Sequence, residues 1–121
     1  MKLSPLRGRK VVDRVRRKGR KWRGKHMGIT LIAGRPPLAK HDGLYAGTSA
    51  STKLNKSAVK RNKMRRRCRE ALRTTLKDTT KNQKLTTKNL SVQLLIQPRS
   101  SSLSCDFDEL LADAEAFFST L

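Results

Sequence analysis

Apolar residues recur along this chain with two periods, and each change of period marks an element. From Arg9 to Lys18 the valines at 11, 12 and 15 make a short helical stripe, with Gly19 placed as its C-cap. Three β-branched residues form a poor helix by propensity, so packing has to hold it. Met27-Gly28-Ile29-Thr30-Leu31-Ile32-Ala33 alternates as a strand does, and Gly34-Arg35-Pro36-Pro37 ends it. Leu44 to Thr52 reads as a strand of small residues, with Leu44, Ala46, Thr48 and Ala50 on one face and Tyr45, Gly47 and Ser49 on the other. Such a surface adds little to a core, but it lets a polymer backbone lie close.

From Ser57 to Arg73 the period becomes helical: Met64, Cys68, Ala71 and Leu72 recur at steps of three and four. Lys77 to Asn89 is polar and reads as a surface loop. Leu90 to Ile96 is the best strand in the chain, ended by Pro98. Asp106 is then expected as an N-cap with Glu109 as its capping-box partner. Phe107, Leu110, Leu111, Ala114, Phe117, Phe118 and Leu121 follow at helical spacing. The order predicts one α+β domain over residues 1–121. We expect a two-layer sandwich: one mixed, mainly antiparallel sheet of about four strands with three helices. The 57–73 helix is its strand-to-strand crossover, and residues 1–8 are a basic N-terminal arm.

Charge changes the picture more than size does. The chain has 29 Lys or Arg against 9 acids, a net charge of +20. All 29 cations lie within residues 1–99 with only four of the acids, so that part carries +25. The other five acids sit in the tail. On the 57–73 helix, Asn62, Arg65, Arg66, Arg69 and Arg73 share one sector beside the apolar stripe. A solvated surface helix would need opposite charges one turn away, and Glu70 is the only acid there. A polyanion supplying the countercharge accounts for the row better.

No catalytic constellation stands out. His26 and His41 lack sequence partners for general-base work, and no Gly-rich phosphate loop opens a helix. Cys68 and Cys105 are isolated, without metal-ligand spacing, so no metal site is predicted. They point to a reduced, cytoplasmic setting. No apolar run reaches a membrane-spanning length or resembles a secretion signal.

Arg61-Asn62-Lys63-Met64-Arg65-Arg66, continuing to Arg69-Glu70, resembles the signature of the bacterial ribonuclease P protein subunits. Lys63 stands where that signature has its third Arg, and Arg65 where it has Lys. Gly47-Thr48-Ser49-Ala50-Ser51-Thr52-Lys53 is similar to the family's small-residue strand. Leu6, Val12, Val15 and Gly19 match its opening segment, and residues 94–99 and 107–110 its last strand and tail helix.

The resemblance implies a protein cofactor of a ribonucleoprotein endonuclease that removes the 5′ leader of precursor tRNA. The RNA subunit would carry the catalysis and bind most of the Mg²⁺, with one protein per RNA. On that basis Lys53, Lys60, Arg61, Asn62, Lys63, Arg65, Arg66, Arg69 and Arg73 are expected to contact the ribonuclease P RNA. Val12, Arg16, Arg17, Thr30, Ser49 and Ser51 are expected to line a cleft for the single-stranded leader. The family usually offers stacking aromatics there, where this chain has Arg16 and Thr30; Trp22 and Tyr45 are the candidate substitutes. A small structural ribosomal RNA-binding protein remains the alternative from a different class. A DNA-binding protein is disfavoured, since no helix-turn-helix or dimer seam is visible.

Overall fold

The computed structural model describes residues 3–77 and 91–121. The elements are β1 (Leu3–Pro5), α1 (Arg9–Lys18), β2 (Arg20–Arg23), β3 (Met27–Ala33), β4 (Leu44–Thr48), α2 (Ala58–Lys77), β5 (Val92–Pro98), a 3₁₀ turn (Ser100–Leu103) and α3 (Phe107–Ser119). They build one five-stranded mixed sheet in the order β1-β4-β5-β3-β2. β1 runs parallel to β4 and β4 to β5, while β3 is antiparallel to both β5 and β2.

The alternation in β3, β4 and β5 gives the sheet two apolar faces. Ile29 pairs with Ile96, Leu31 and Ala46 with Leu94, and Leu44 with Val92. This face packs on Met27, Cys68, Ala71, Leu72 and Leu76, and on Leu110, Ala114, Phe117 and Phe118 of α3. Leu95 points the other way and meets Leu6 and Val15, bordered by Val11, Val12, Ile32 and Tyr45. The expected two layers therefore become helices on both faces, α2 and α3 on one and α1 on the other. Three valines suffice for α1 because Val15 is fully buried against the sheet.

The sheet has five strands where about four are expected, and two of them, β1 and β2, are not marked by the apolar pattern. Residues 3–5, expected as part of a basic arm, form the edge strand β1, and both Leu3 and Leu6 are buried. Leu6 N–H donates to Ala46 O at 2.9 Å, which carries the pairing one residue further. The second addition, β2, is mostly cations, and only Trp22 turns toward the core. Trp22 stacks edge-on to Phe117 at 5.4 Å, so its ring is committed to packing.

The small 44–52 strand ends earlier than expected, at Thr48. Part of its smallness serves the protein itself: a Cβ on Gly47 would lie 3.4 Å from Leu6 O. Gly19 also answers to packing. Its backbone is extended, and a Cβ there would collide with Val15 O and lie 3.0 Å from Leu31 O. At the tail helix, Asp106 occupies the N-cap position without a side-chain cap bond, and Glu109 is drawn away to Lys25. The polar loop expected at 77–89 falls outside the described residues after Lys77. Among the described residues no helix is long and apolar enough to cross a membrane.

Candidate nucleic-acid interface

The 20-residue α2 starts at Ala58 because the residues before it are tied into a turn. Ser57 N–H donates to Asn55 Oδ1 at 2.9 Å, and Ser57 Oγ accepts from Lys60 N–H at 3.3 Å. Met64, Cys68, Ala71, Leu72, Thr75 and Leu76 are then buried, as the stripe requires. Burial pushes the Cys68 thiol up to about 11, so it is an apolar filler at neutral pH.

Burying that stripe orients the neighbouring sector outward. Asn62, Arg65, Arg66, Arg69, Glu70 and Arg73 line one open groove, closed on its far side by Leu3 and Thr48 of the sheet. The expected row is thus a single concave surface. Arg66 and Arg69 are exposed and make no hydrogen bond or ion pair among the described residues. Arg73 reaches Glu70 at 3.4 Å, an exposed i,i+3 pair of little strength. Asn62 Oδ1 accepts from Arg65 Nη1 at 2.8 Å, which leaves the Asn62 amide N–H groups facing outward.

The cations of α2 are not equivalent. Arg65 Nη2 also donates to Ala50 O at 3.1 Å, tying the helix to the β4–α2 loop, and its Nε is buried without a partner. Arg61 turns back along the chain, with Nη1 on Asn55 O at 2.8 Å and Lys56 O at 3.1 Å. Arg67, next to the groove residues in sequence, points to the opposite side and holds Ser102 O at 2.6 Å and Cys105 O. Lys60 and Lys63 are exposed on α2 outside the groove lining.

A second concave surface lies between α1 and the ends of β4 and β5. Arg16, Ser49, Ser51 and Lys53 line it, with Ala50, Leu54, Gln97 and Pro98. Arg16 Nη2 donates to Ser49 Oγ at 3.2 Å and Nη1 pairs with Asp13 at 3.0 Å. The strand period explains why this surface and the α2 groove are neighbours. Thr48 faces α2, and Ser49, one residue on, faces α1.

Three expected cleft residues lie elsewhere. Thr30 is buried beneath the cleft, its hydroxyl 3.3 Å from Gln97 Oε1. Val12 packs in the α1 cluster, and Arg17 lines a separate depression with Lys10, Asp13 and Arg16. Lys53, expected with the α2 cations, joins the cleft instead. Gln97 was not anticipated as a lining residue, although its place opposite Ile96 in the strand alternation puts it on the α1 face. Tyr45, half-buried beside α1, spends its hydroxyl on His41 O at 2.6 Å. Neither surface brings together a catalytic pair, and its chemistry is hydrogen-bond donation and positive charge.

Comparison with known proteins identifies the family and the fold. The family model described as Ribonuclease P matches residues 1–121. The fold is similar to the RNase P protein from Thermotoga maritima, with a TM-score of 0.68 and 16% identity, covering 98% of this chain and 97% of that one. It is also similar to a Staphylococcus aureus RNase P protein structure, with a TM-score of 0.63 and 17% identity, covering 96% and 93%. A second Staphylococcus aureus structure gives a TM-score of 0.61 at 19% identity over 96% and 86%. Comparison with curated protein sequences finds no match.

Proposed function

Since the chain belongs to the ribonuclease P protein family, we propose that it binds the ribonuclease P RNA through α2 and promotes Mg²⁺-dependent removal of the 5′ leader from precursor tRNA. The observation that carries this reading is the groove of Asn62, Arg65, Arg66, Arg69 and Arg73 against Leu3 and Thr48. Its uncommitted guanidinium groups stand on a helix whose opposite stripe is fully packed, so they are presented without a folding cost at binding. Arginine's planar fork matches phosphate oxygens, and phosphate contacts supply most of the affinity for a folded RNA. Catalysis is assigned to the RNA subunit, which would hold most of the Mg²⁺; the protein's part is to neutralise phosphate repulsion, with one protein per RNA.

The cleft of Arg16, Ser49, Ser51, Lys53 and Gln97 is the surface for the single-stranded leader. With Trp22 packed on Phe117, it offers no indole for stacking, a contribution of about 1–3 kcal/mol per base where present. Leader recognition therefore rests on charge and hydrogen bonds and falls steeply with salt. The setting is the cytoplasm, where precursor tRNA is processed.

The test is reconstitution with a bacterial-type ribonuclease P RNA and a precursor tRNA at low Mg²⁺. Stimulated leader cleavage supports the reading. No stimulation, with binding to structured RNA retained, favours a small ribosomal RNA-binding protein.

A further inference from the structure

Outside the lining of both basic surfaces, three metal-ligating side chains meet where the β2–β3 turn touches the start of α3. They are His26, Cys105 and Glu109, and their ligand atoms all lie within 4.8 Å of one another. We propose that His26 Nε2, Cys105 Sγ and the Glu109 carboxylate form a binding site for one Zn²⁺, with water as the fourth ligand.

The argument begins with His26. The residue is 5% exposed, and its Nε2 is buried without a hydrogen-bond partner. The nearest candidate, Glu109 Oε1, is 3.5 Å away, too far to satisfy it. The other ring nitrogen is engaged: Nδ1 and Ser101 Oγ share a 2.8 Å hydrogen bond. When Nδ1 holds the proton and donates it to Ser101, Nε2 presents a lone pair toward Cys105 and Glu109. A hydrogen bond on the distal nitrogen is the usual support of a metal-bound imidazole.

The backbone around the ring is clamped as well. The buried Asp113 carboxylate accepts His26 N–H at 2.7 Å and Lys25 N–H at 3.1 Å. Gly24 lets the turn approach this closely, since a Cβ there would lie 2.8 Å from Asp113 Oδ2. Arg67 holds the carbonyl of Cys105 from the other side. One ligand is therefore rigid, while the other two sit on partly exposed side chains that can close by the roughly 1 Å a tetrahedral zinc shell asks for.

The donor set selects the ion. Imidazole, thiolate and carboxylate suit zinc and exclude Mg²⁺ and Ca²⁺, which take oxygen. A thiolate and a carboxylate neutralise the ion's charge, and they do so in the acidic tail of an otherwise cationic chain. Lys25 is the competing occupant, with Nζ on Glu109 Oε1 at 3.0 Å, but its side chain is 71% exposed and free to leave.

The experiment uses the full chain, free of any affinity tag and stripped with a chelator. Zinc is titrated against a chromophoric competitor, and cobalt(II) is added separately to report thiolate ligation. One equivalent of zinc bound at micromolar concentration or tighter is expected, with a thiolate-to-cobalt charge-transfer band. Cys105→Ser should remove the band and, like Glu109→Gln, weaken zinc binding at least about a hundredfold, and Ser101→Ala should weaken it about tenfold. Lys25→Ala should tighten it. These positions are not fully buried, and circular dichroism confirms that each variant is folded. The site is refuted by the absence of stoichiometric zinc binding, by a cobalt band that survives in Cys105→Ser, or by affinity indifferent to Cys105→Ser and Glu109→Gln. A simple His26–Glu109 ion pair would give the first of these results.

Discussion

Arg66 and Arg67 are adjacent in sequence and opposite in role, and substituting each in turn separates them. Arg67 donates to two main-chain carbonyls, Ser102 O and Cys105 O, and fastens α2 to the turn that leads into α3. Hydrogen bonds from a charged donor contribute about 1.5–3 kcal/mol each, and this pair is half-buried, so water recovers part of the loss. Arg67→Ala should therefore cost about 2–3 kcal/mol of a total near 5–15 kcal/mol. At about 2.1 cal/mol/K of unfolding entropy per residue, this chain loses about 4 °C of Tm per kcal/mol, a drop of roughly 8–12 °C. Arg66 makes no ion pair and lies among Arg65, Arg69 and Arg73, with Glu70 on the same groove. Arg66→Ala should leave stability within about 0.5 kcal/mol, since relief of like-charge repulsion and loss of the Glu70 attraction one turn on are of similar size. In return it should weaken binding to the ribonuclease P RNA and lower the log–log salt slope by about one. Urea and thermal unfolding of the free protein, with RNA binding across a potassium chloride series, measure both quantities. The reasoning fails if Arg67→Ala leaves Tm unchanged and flattens the salt slope, or if Arg66→Ala destabilises the free protein and leaves the slope alone.

Three further outcomes are expected. Gly19→Ala should destabilise the fold by about 1–3 kcal/mol in urea, since the added methyl would meet two backbone carbonyls that cannot move apart; a neutral result would mean the α1–β2 corner is loose. At pH 8 only about one Cys68 in a thousand is thiolate, and the side chain is buried. Alkylation by iodoacetamide should reach Cys68 only on unfolding, with mass mapping of the modified peptide as the check. Lys25 holds the Glu109 carboxyl below its ordinary value in the folded state. A depressed carboxylate stabilises above its unfolded value near pH 4 and loses that contribution as pH falls toward its folded value. Glu109→Gln should therefore make the acid limb of a Tm-against-pH profile shallower, and an unaltered limb would count against the pair.

How much was legible beforehand depended on the range of the interaction. Period alone located α1, β3, α2, β5 and α3, because a side chain's face follows from local geometry. The groove on α2 was legible for the same reason: once Met64, Cys68 and Leu72 face inward, Asn62, Arg66, Arg69 and Arg73 have nowhere to point but outward. β1 and β2 escaped because their strand character is not in their own residues. Leu3–Pro5 become a strand by pairing with β4, and Arg20–Arg23 by pairing with Gly28–Leu31.

Composition and spacing thus pointed to the class of partner: a dense row of cations beside an apolar stripe calls for a polyanion, whatever the fold. Tertiary structure decided which cations are free. Arg61 and Arg67 look identical to Arg66 in the sequence, yet they are consumed by carbonyls of the β4–α2 loop and of the turn before α3. It also brought His26 to Cys105 and Glu109 across some 80 residues of chain. Burial and charge balance are summed over everything within a few ångströms, and only the fold says what lies there.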